Sequence, residues 1–370
     1  MKVLFINGVC GIRSTGRIVT DLAEAYQAQG HEVRVAYGRE HVPEKYQAIS
    51  FRIGTQANAW ANALKARVLD NEGLNCIAQT KNFIQWANSY DPDVVWIHNL
   101  HGYYINIELL FSWIKSRPHM QVRWTLHDCW AFTGHCAHFS LAGCFKWKTQ
   151  CYRCGERKSY PKSIFKDNCK ENYLRKRAAF CGVPNMVLIT PSRWLADLVK
   201  QSFLGEYPVE VVHNRIDTTI FKPTEGNIPG QFGLKDKKIV LGVASAWNDK
   251  KGYSDFLKLA KMLDDSYAII LVGLSKQQLK KLPPKIVGIT RTDSAMQLAQ
   301  IYTAADVFVN LTYEDTYPTV NLEAQACGTP CLTYRTGGSV ESVPAENVVE
   351  QGDLEQMAAK IQEICMEGKI

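Results

Sequence analysis

Residues 313 to 330, YEDTYPTVNLEAQACGTP, set Glu314 and Asp315 on a loop and then place Glu323 among Val320, Leu322, Ala324 and Ala326. Pro318 suits the first turn of a helix, Gly328 suits its C-terminal cap, and Pro330 prevents continuation. A carboxylate in such an apolar helix is costly unless something pairs with it. A second charged turn lies in GVASAWNDKKG, where Lys250 and Lys251 stand just before Gly252. A lysine held at a turn between strand and helix can neutralise a diphosphate, although a solvated loop lysine is the plainer reading.

Other groups that do chemistry fall at the ends of apolar runs. His98, Asn99 and His101 follow DVVWI, while His127 and Asp128 end QVRWTLHD. Polar groups at the carboxyl ends of strands face the ligand edge of an open parallel sheet. For His98 a satisfied structural role is an equal alternative. Near the start, NGVCGIRSTGRIVTDLA runs strand, glycine turn, helix. Gly8, Gly11 and Gly16 lack the G-x-G-x-x-G spacing. Ser14, Thr15 and Gly16 nonetheless offer backbone N–H groups at a helix start beside Arg17, which favours an anion. Cys136, Cys144, Cys151 and Cys154 form C-x7-C-x6-C-x2-C. Structural zinc is the expectation here, with His135 and His138 as substitute ligands and free thiols or disulfides as alternatives. Four thiolates would leave no open position for catalysis.

The scaffold for these groups is legible as alternation. KVLFIN, HEVRVAYG, DVVWIHN, QVRWTLHD, MVLITPS and VEVVHN are apolar runs separated by helical patterns. The pattern restarts at KIVLGVAS and continues through YAIILVG, KIVGIT and DVFVNLT. The prediction is an α/β protein with two Rossmann-like, doubly wound domains facing a central cleft. The boundaries expected are 1–215 for the first domain, 216–236 for a linker, 237–352 for the second domain and 353–370 for a C-terminal helix. A cysteine-rich, basic insert is expected at about 129–166.

Composition narrows the class. The chain has 370 residues, a net charge of +7, 46% hydrophobic and 21% charged residues, as in a globular enzyme. Residues 146–177 hold eleven Lys or Arg against three acids, so the basic character is local. MKVLFINGVCGIR does not read as a signal peptide. No run approaches the ~18 apolar residues that span a bilayer. The expectation is a cytoplasmic protein, with its twelve cysteines reduced or metal-bound.

The chain resembles the retaining GT-B glycosyltransferases of family 4, through RSTGRIVTDLA, WIHNLHGYYIN, TLHDCWAFTGHC, GVASAWNDKKG and, above all, DTYPTVNLEAQACGTP. It looks most like a bacterial subgroup making capsule, O-antigen or exopolysaccharide. The resemblance implies a nucleotide-diphosphate sugar donor of UDP or GDP type, bound mainly by the second domain. Asp315 and His127 would contact the donor sugar, and Glu323 would find its partner in the ribose hydroxyls. Thr316, Tyr317, Pro318, Thr319 and Val320 would surround the donor, with backbone N–H groups of Thr319 and Val320 at the diphosphate. Lys251, with Lys250 and Arg291, would neutralise that diphosphate without an obligatory divalent metal. Backbone around Ile289 would meet the base. Gly11, Ser14, Thr15, Gly16, Arg17, His101 and Tyr103 would line the acceptor side.

Two departures stand out. The first acid is Asp where Glu is commoner, and position 246 is Ala where an Arg is usual. The function implied is sugar transfer, with anomeric retention, to a hydroxyl of a lipid-linked glycan. The basic segment, interleaved with Trp147, Tyr152, Tyr160, Phe165 and Tyr173, suits an anionic membrane surface. The alternatives are another GT-B enzyme, an epimerase or phosphorylase, and a zinc-organised nucleic-acid-binding protein, which would leave Asp315, Glu323 and Lys251 without a role.

Overall fold

The computed structural model describes residues 1–367, so the last three positions of the expected 353–370 helix lie outside the described residues. The chain divides into two compact units, Met1–His213 and the part from Asn214 onward. The first carries β1 (Lys2–Asn7), β2 (Glu32–Tyr37), β3 (Ser50–Arg52), β4 (Val94–Ile97), β5 (Gln121–Thr125), β6 (Met186–Thr190) and β7 (Val209–Val211). They form a parallel sheet in the order β3-β2-β1-β4-β5-β6-β7. The second carries β8 (Lys238–Val243), β9 (Tyr267–Val272), β10 (Ile286–Ile289), β11 (Val307–Asn310), β12 (Cys331–Tyr334) and β13 (Val348–Val349). Their order is β10-β9-β8-β11-β12-β13, again parallel.

The continuous apolar runs explain this choice. Val3, Leu4, Phe5 and Ile6 in β1 are wholly buried, and all four residues of β4 and all six of β9 are buried. Strands buried on both faces belong in parallel sheets covered by helices. Each sheet reverses its winding once, between β1 and β4 and between β8 and β11. Loops at the carboxyl ends flanking such reversals are where doubly wound folds bind ligands. The loops after β1, β4 and β5 carry Gly11, His98, His101 and His127; those after β8 and β11 carry Lys250, Lys251, Glu314 and Asp315.

Two helices fall where no helix is expected from apolar spacing, Gln56–Leu69 and Ile77–Tyr90. The stretch after β5 has little regular structure, only single 3-10 turns at Trp130–Phe132 and Lys146–Lys148. It packs through aromatic rings: Phe139 lies 4.9 Å from Trp147, and Phe132 lies 5.3 Å from Trp147. No helix of the described residues is long and apolar enough to cross a membrane.

Candidate active site

In the second unit the two charged turns meet. Lys251 Nζ lies 2.8 Å from Asp315 Oδ2, and Lys250 Nζ lies 2.9 Å from Glu314 Oε2. Backbone geometry enforces the approach. Gly252 has φ +75°, and a Cβ there would stand 2.3 Å from the Leu311 carbonyl. Gly337 has φ +50°, and a Cβ would stand 2.1 Å from the Asp315 carbonyl oxygen. A side chain at either glycine would push apart the loops that carry the pair. Lys251 also donates to Thr312 Oγ1 at 3.3 Å, and Asp315 Oδ1 accepts from the Tyr317 amide at 3.3 Å. The pair is partly open to solvent, with side-chain exposures of 36% and 21%.

The helix beyond the acids starts at Thr319, with Pro318 as its N-cap rather than in its first turn. Pro318 makes no side-chain cap, and the first N–H groups of a helix have no partner within it. The helix is fixed by a buried polar network that apolar spacing does not reveal. Asn310 Nδ2 donates to Asn321 Oδ1 at 2.8 Å, and Asn321 Nδ2 donates to Ser342 Oγ at 2.9 Å. Glu323 is 6% exposed, and Tyr302 donates its hydroxyl to Glu323 Oε2 at 3.0 Å. A protein hydroxyl thus engages one oxygen of the carboxylate, a partner that apolar spacing does not reveal.

A pocket of about 720 Å³ opens at the carboxyl ends of β8, β9 and β10, a volume suited to a small ligand. Ser245, Trp247, Tyr253, Ser275, Gln278 and Thr290 line it, with Lys281 and Ala246. Of these, only Ala246 carries a sequence signal, as the position where an Arg is usual. Lys251 and Asp315 are not in this lining. Thr290 sits between Ile289 and Arg291, the two residues expected near the base and diphosphate. The Ile289 carbonyl already accepts from the amides of Gly273 and Leu274, at 2.8 and 3.2 Å.

The first unit gathers rings instead. His98 Nδ1 stands 2.9 Å from His127 Nε2, and the two rings stack at 5.2 Å. Burial lowers the basicity of both: His98 falls well below the usual imidazole range and His127 drops to about 4. His98 is held rigidly, since Trp124 Nε1 donates to its carbonyl at 3.1 Å and Trp96 stacks on its ring at 6.2 Å. Its structural role is thus joined to the expected site residue, His127. His101 Nε2 lies 2.7 Å from Asp128 Oδ2, and His101 Nδ1 lies 3.0 Å from the Tyr160 hydroxyl. Burial opposes ionisation of Asp128, but the charge and hydrogen bond of His101 prevail and bring it to about 2. His98, His101, His127 and Asp128 line a cavity of about 10 Å³, no larger than one water.

Tyr103, in the left-handed region at φ +67°, donates its amide to Glu72 Oε1 at 3.0 Å. Glu72 and Tyr160 had no sequence signal; Glu72 lies in the short polar stretch DNEG and Tyr160 reads as part of a basic run. Ser14, Thr15 and Gly16 do fall in the first turn of the helix Arg13–Ala28. Gly11 has φ +70° and donates its amide to the Gly16 carbonyl at 3.1 Å, while Arg17 is exposed.

The four cysteines line one cavity of about 20 Å³ together with Cys169 and His135. Their thiols are free and take hydrogen bonds: the Gly134 amide donates to Cys151 Sγ at 3.2 Å. A bond from Cys136 is the main cause that lowers the Cys154 thiol to about 7. Among the described residues no group of three or more His, Cys, Asp or Glu is disposed to hold a metal ion. The expected zinc therefore finds no assembled ligand set. Part of the basic segment faces the core instead of solvent. Lys176 is fully buried, its Nζ donating to the Trp130 and Thr133 carbonyls at 2.7 and 3.1 Å, and burial lowers it to about 7. Arg175 pairs with Glu108, and Trp147 and Tyr173 are core residues at 2% and 1% exposure.

Comparison with known proteins fits this geometry. A model described as Glycosyltransferase Family 4 matches residues 15–220, and one described as Glycosyl transferases group 1 matches 225–369. The chain belongs to glycosyltransferase family 4. WcaC of Escherichia coli K12, whose name ties it to colanic acid biosynthesis, is 25% identical over 357 residues, covering 92% of this chain and 85% of that protein. Sucrose-phosphate synthase of Thermosynechococcus elongatus superposes with a TM-score of 0.71 at 15% identity, over 99% of this chain and 90% of that one. HepE of Anabaena, solved with UDP-glucose, gives 0.64 at 16% identity, with the same coverage. This glycosyltransferase therefore has the two-domain GT-B fold.

Proposed function

We propose that this protein transfers a sugar, with retention, from a nucleotide-diphosphate sugar to a hydroxyl of a lipid-linked glycan in surface polysaccharide synthesis. The observation that carries this reading is the Lys251–Asp315 pair, held by two sterically required glycines before the start of the helix Thr319–Ala326. Lys251 exchanges its carboxylate partner for the donor's diphosphate, and the N–H groups of Thr319 and Val320 receive the same charge. Asp315 is the proposed sugar contact in the second unit, and His127 the proposed one in the first. The 720 Å³ pocket beside Thr290 takes the nucleoside. The name of WcaC supports a glycan acceptor, and the complex of HepE with UDP-glucose supports a UDP-type donor.

In the step itself the bond between the anomeric carbon and the β-phosphate oxygen breaks. The acceptor oxygen bonds to that carbon on the same face, and its proton passes to the departing phosphate oxygen. Lys251 and the helix N–H groups stabilise the charge that develops there. An enzymic base and an obligatory divalent ion have no part in this scheme.

Incubation with UDP- and GDP-sugars and a membrane extract tests the proposal. Free nucleoside diphosphate together with a glycan extended by one residue of retained configuration supports it. An isomerised donor or a sugar phosphate as the product would replace it with an epimerase or a phosphorylase.

A further inference from the structure

Tyr313 stands two residues before Asp315 and is held from the lysine side at both ends. Its amide donates to the Lys250 carbonyl at 2.8 Å, and its hydroxyl donates to Asp255 Oδ2 at 2.6 Å. Asp255 belongs to the helix Tyr253–Met262, which begins directly after the turn Asp249–Lys251 and Gly252. The Tyr313 carbonyl accepts from Thr336 Oγ1 at 2.8 Å and from Gln351 Nε2 at 3.2 Å. Every polar atom of Tyr313 is therefore engaged, which leaves the loop leading to Asp315 little freedom against the turn that carries Lys251.

Asp255 is 5% exposed. The oxygen that meets Tyr313 also accepts from the Tyr334 hydroxyl at 3.1 Å, and the other accepts from Lys258 Nζ at 3.1 Å. Burial, and then the bond to Asp255, raises the Tyr313 hydroxyl to about 12, so it remains the donor. Burying a carboxylate is costly, and apolar side chains of the same volume would fill this space without that penalty. What the carboxylate adds is direction. The rings of Tyr313 and Tyr334, 5.5 Å apart at 71°, aim their hydroxyls at one oxygen. Neither Asp255 nor Tyr313 lines the pocket beside Thr290.

We propose that Asp255 is a positioning residue of this transferase: through Tyr313 it sets where Asp315 stands relative to Lys251. Asp255 and Tyr313 are 58 residues apart, so no local pattern announces the pair. The sugar contact and the diphosphate contact of the second unit thereby share one reference point, the start of the helix Tyr253–Met262. The inference rests on the transferase reading for its kinetic consequence and not for its structural one.

Hydrogen exchange of the ligand-free protein tests the structural part. Tyr313→Phe keeps the ring and the bond to Lys250 but loses the bond to Asp255. Tyr334→Phe removes the other hydroxyl from the same oxygen and is the matched control. The Tyr317 amide, which donates to Asp315 Oδ1, should exchange about tenfold faster in Tyr313→Phe and at the wild-type rate in Tyr334→Phe. Turnover of UDP- and GDP-sugars with a membrane extract tests the rest. Tyr313→Phe should lower kcat roughly tenfold to a hundredfold, as small misplacements of a reacting group do. Its thermal stabilisation by UDP or GDP should match the wild type, and Tyr334→Phe should keep the wild-type kcat. Wild-type exchange at Tyr317 in Tyr313→Phe, or an equal change in both variants, would overturn the proposal. So would a wild-type kcat in Tyr313→Phe. A wild-type protein that neither turns over a donor nor is stabilised by UDP or GDP would count against the transferase reading, and the exchange rates would then decide the placement of Asp315 by themselves.

Discussion

The residues at the two winding reversals are arranged in opposite ways. In the first unit, the rings of His98 and His127 are stacked and mutually hydrogen-bonded, and burial keeps both from taking a proton. In the second, Lys251 and Asp315 are a charged pair, about a third or less exposed, on loops that glycines bring into contact. Buried neutral rings orient and gain nothing from charge, whereas a half-open ion pair trades partners at little cost. The contrast suits the rings of the first unit to holding an orientation and the ion pair of the second to meeting an anion.

The largest effect should come from breaking the second arrangement. Asp315→Ala should lower kcat/KM by roughly 10²–10³, the range seen when one preorganised electrostatic group is removed. Steady-state release of nucleoside diphosphate measures it, and wild-type turnover would remove Asp315 from the site. Next in size is the scaffold of the helix start. Asn321→Ala removes the acceptor of the buried Asn310 amide and one donor to Ser342, whose hydroxyl keeps its bond to the Ser339 carbonyl. Urea denaturation should show a loss of about 1–3 kcal/mol for the unsatisfied amide.

The first arrangement is tested by pH. Folded His127 resists protonation until about pH 4, while in the unfolded chain it protonates near 6.5. Between those values the unfolded state binds the extra proton, so stability should fall as pH drops from about 6.5 to 4. His98 adds in the same direction. Thermal midpoints across this range should decline less steeply in His127→Phe; parallel slopes would show that the ring's burial is not felt. The smallest effect is on stability at Lys251. The pair is partly solvated, so Lys251→Ala should shift the unfolding free energy by no more than about 1 kcal/mol. A much larger loss would make the lysine structural and blunt the contrast between the units.

Much of the scaffold was legible because apolar runs buried on both faces leave few alternatives to a parallel sheet. The acids and lysines at the turns were legible too, since charge between apolar elements demands a partner. What escaped has physical causes. The helix Gln56–Leu69 buries alanines and an asparagine while exposing Trp60 and Leu64, so its apolar spacing points the wrong way. Tyr302 and Glu323 are 21 residues apart, and nothing local announces that one hydroxyl meets the other's carboxylate. Lys176 looks like a surface charge within a basic run, yet it is the buried tie between Trp130 and Thr133. The pocket beside Thr290 is drawn from three separate loops of ordinary polar residues, which carry no spacing signal.

The central claim, that the second unit binds a nucleotide diphosphate through Lys251, is tested most directly by thermal unfolding with UDP, GDP, ADP and dTDP. A ligand at about 100 times its dissociation constant adds about 2.7 kcal/mol of stability. One nucleotide should raise the midpoint of the wild-type protein by several degrees and leave Lys251→Ala nearly unmoved. No shift with any of the four at millimolar concentration, or an equal shift in the variant, would contradict the account.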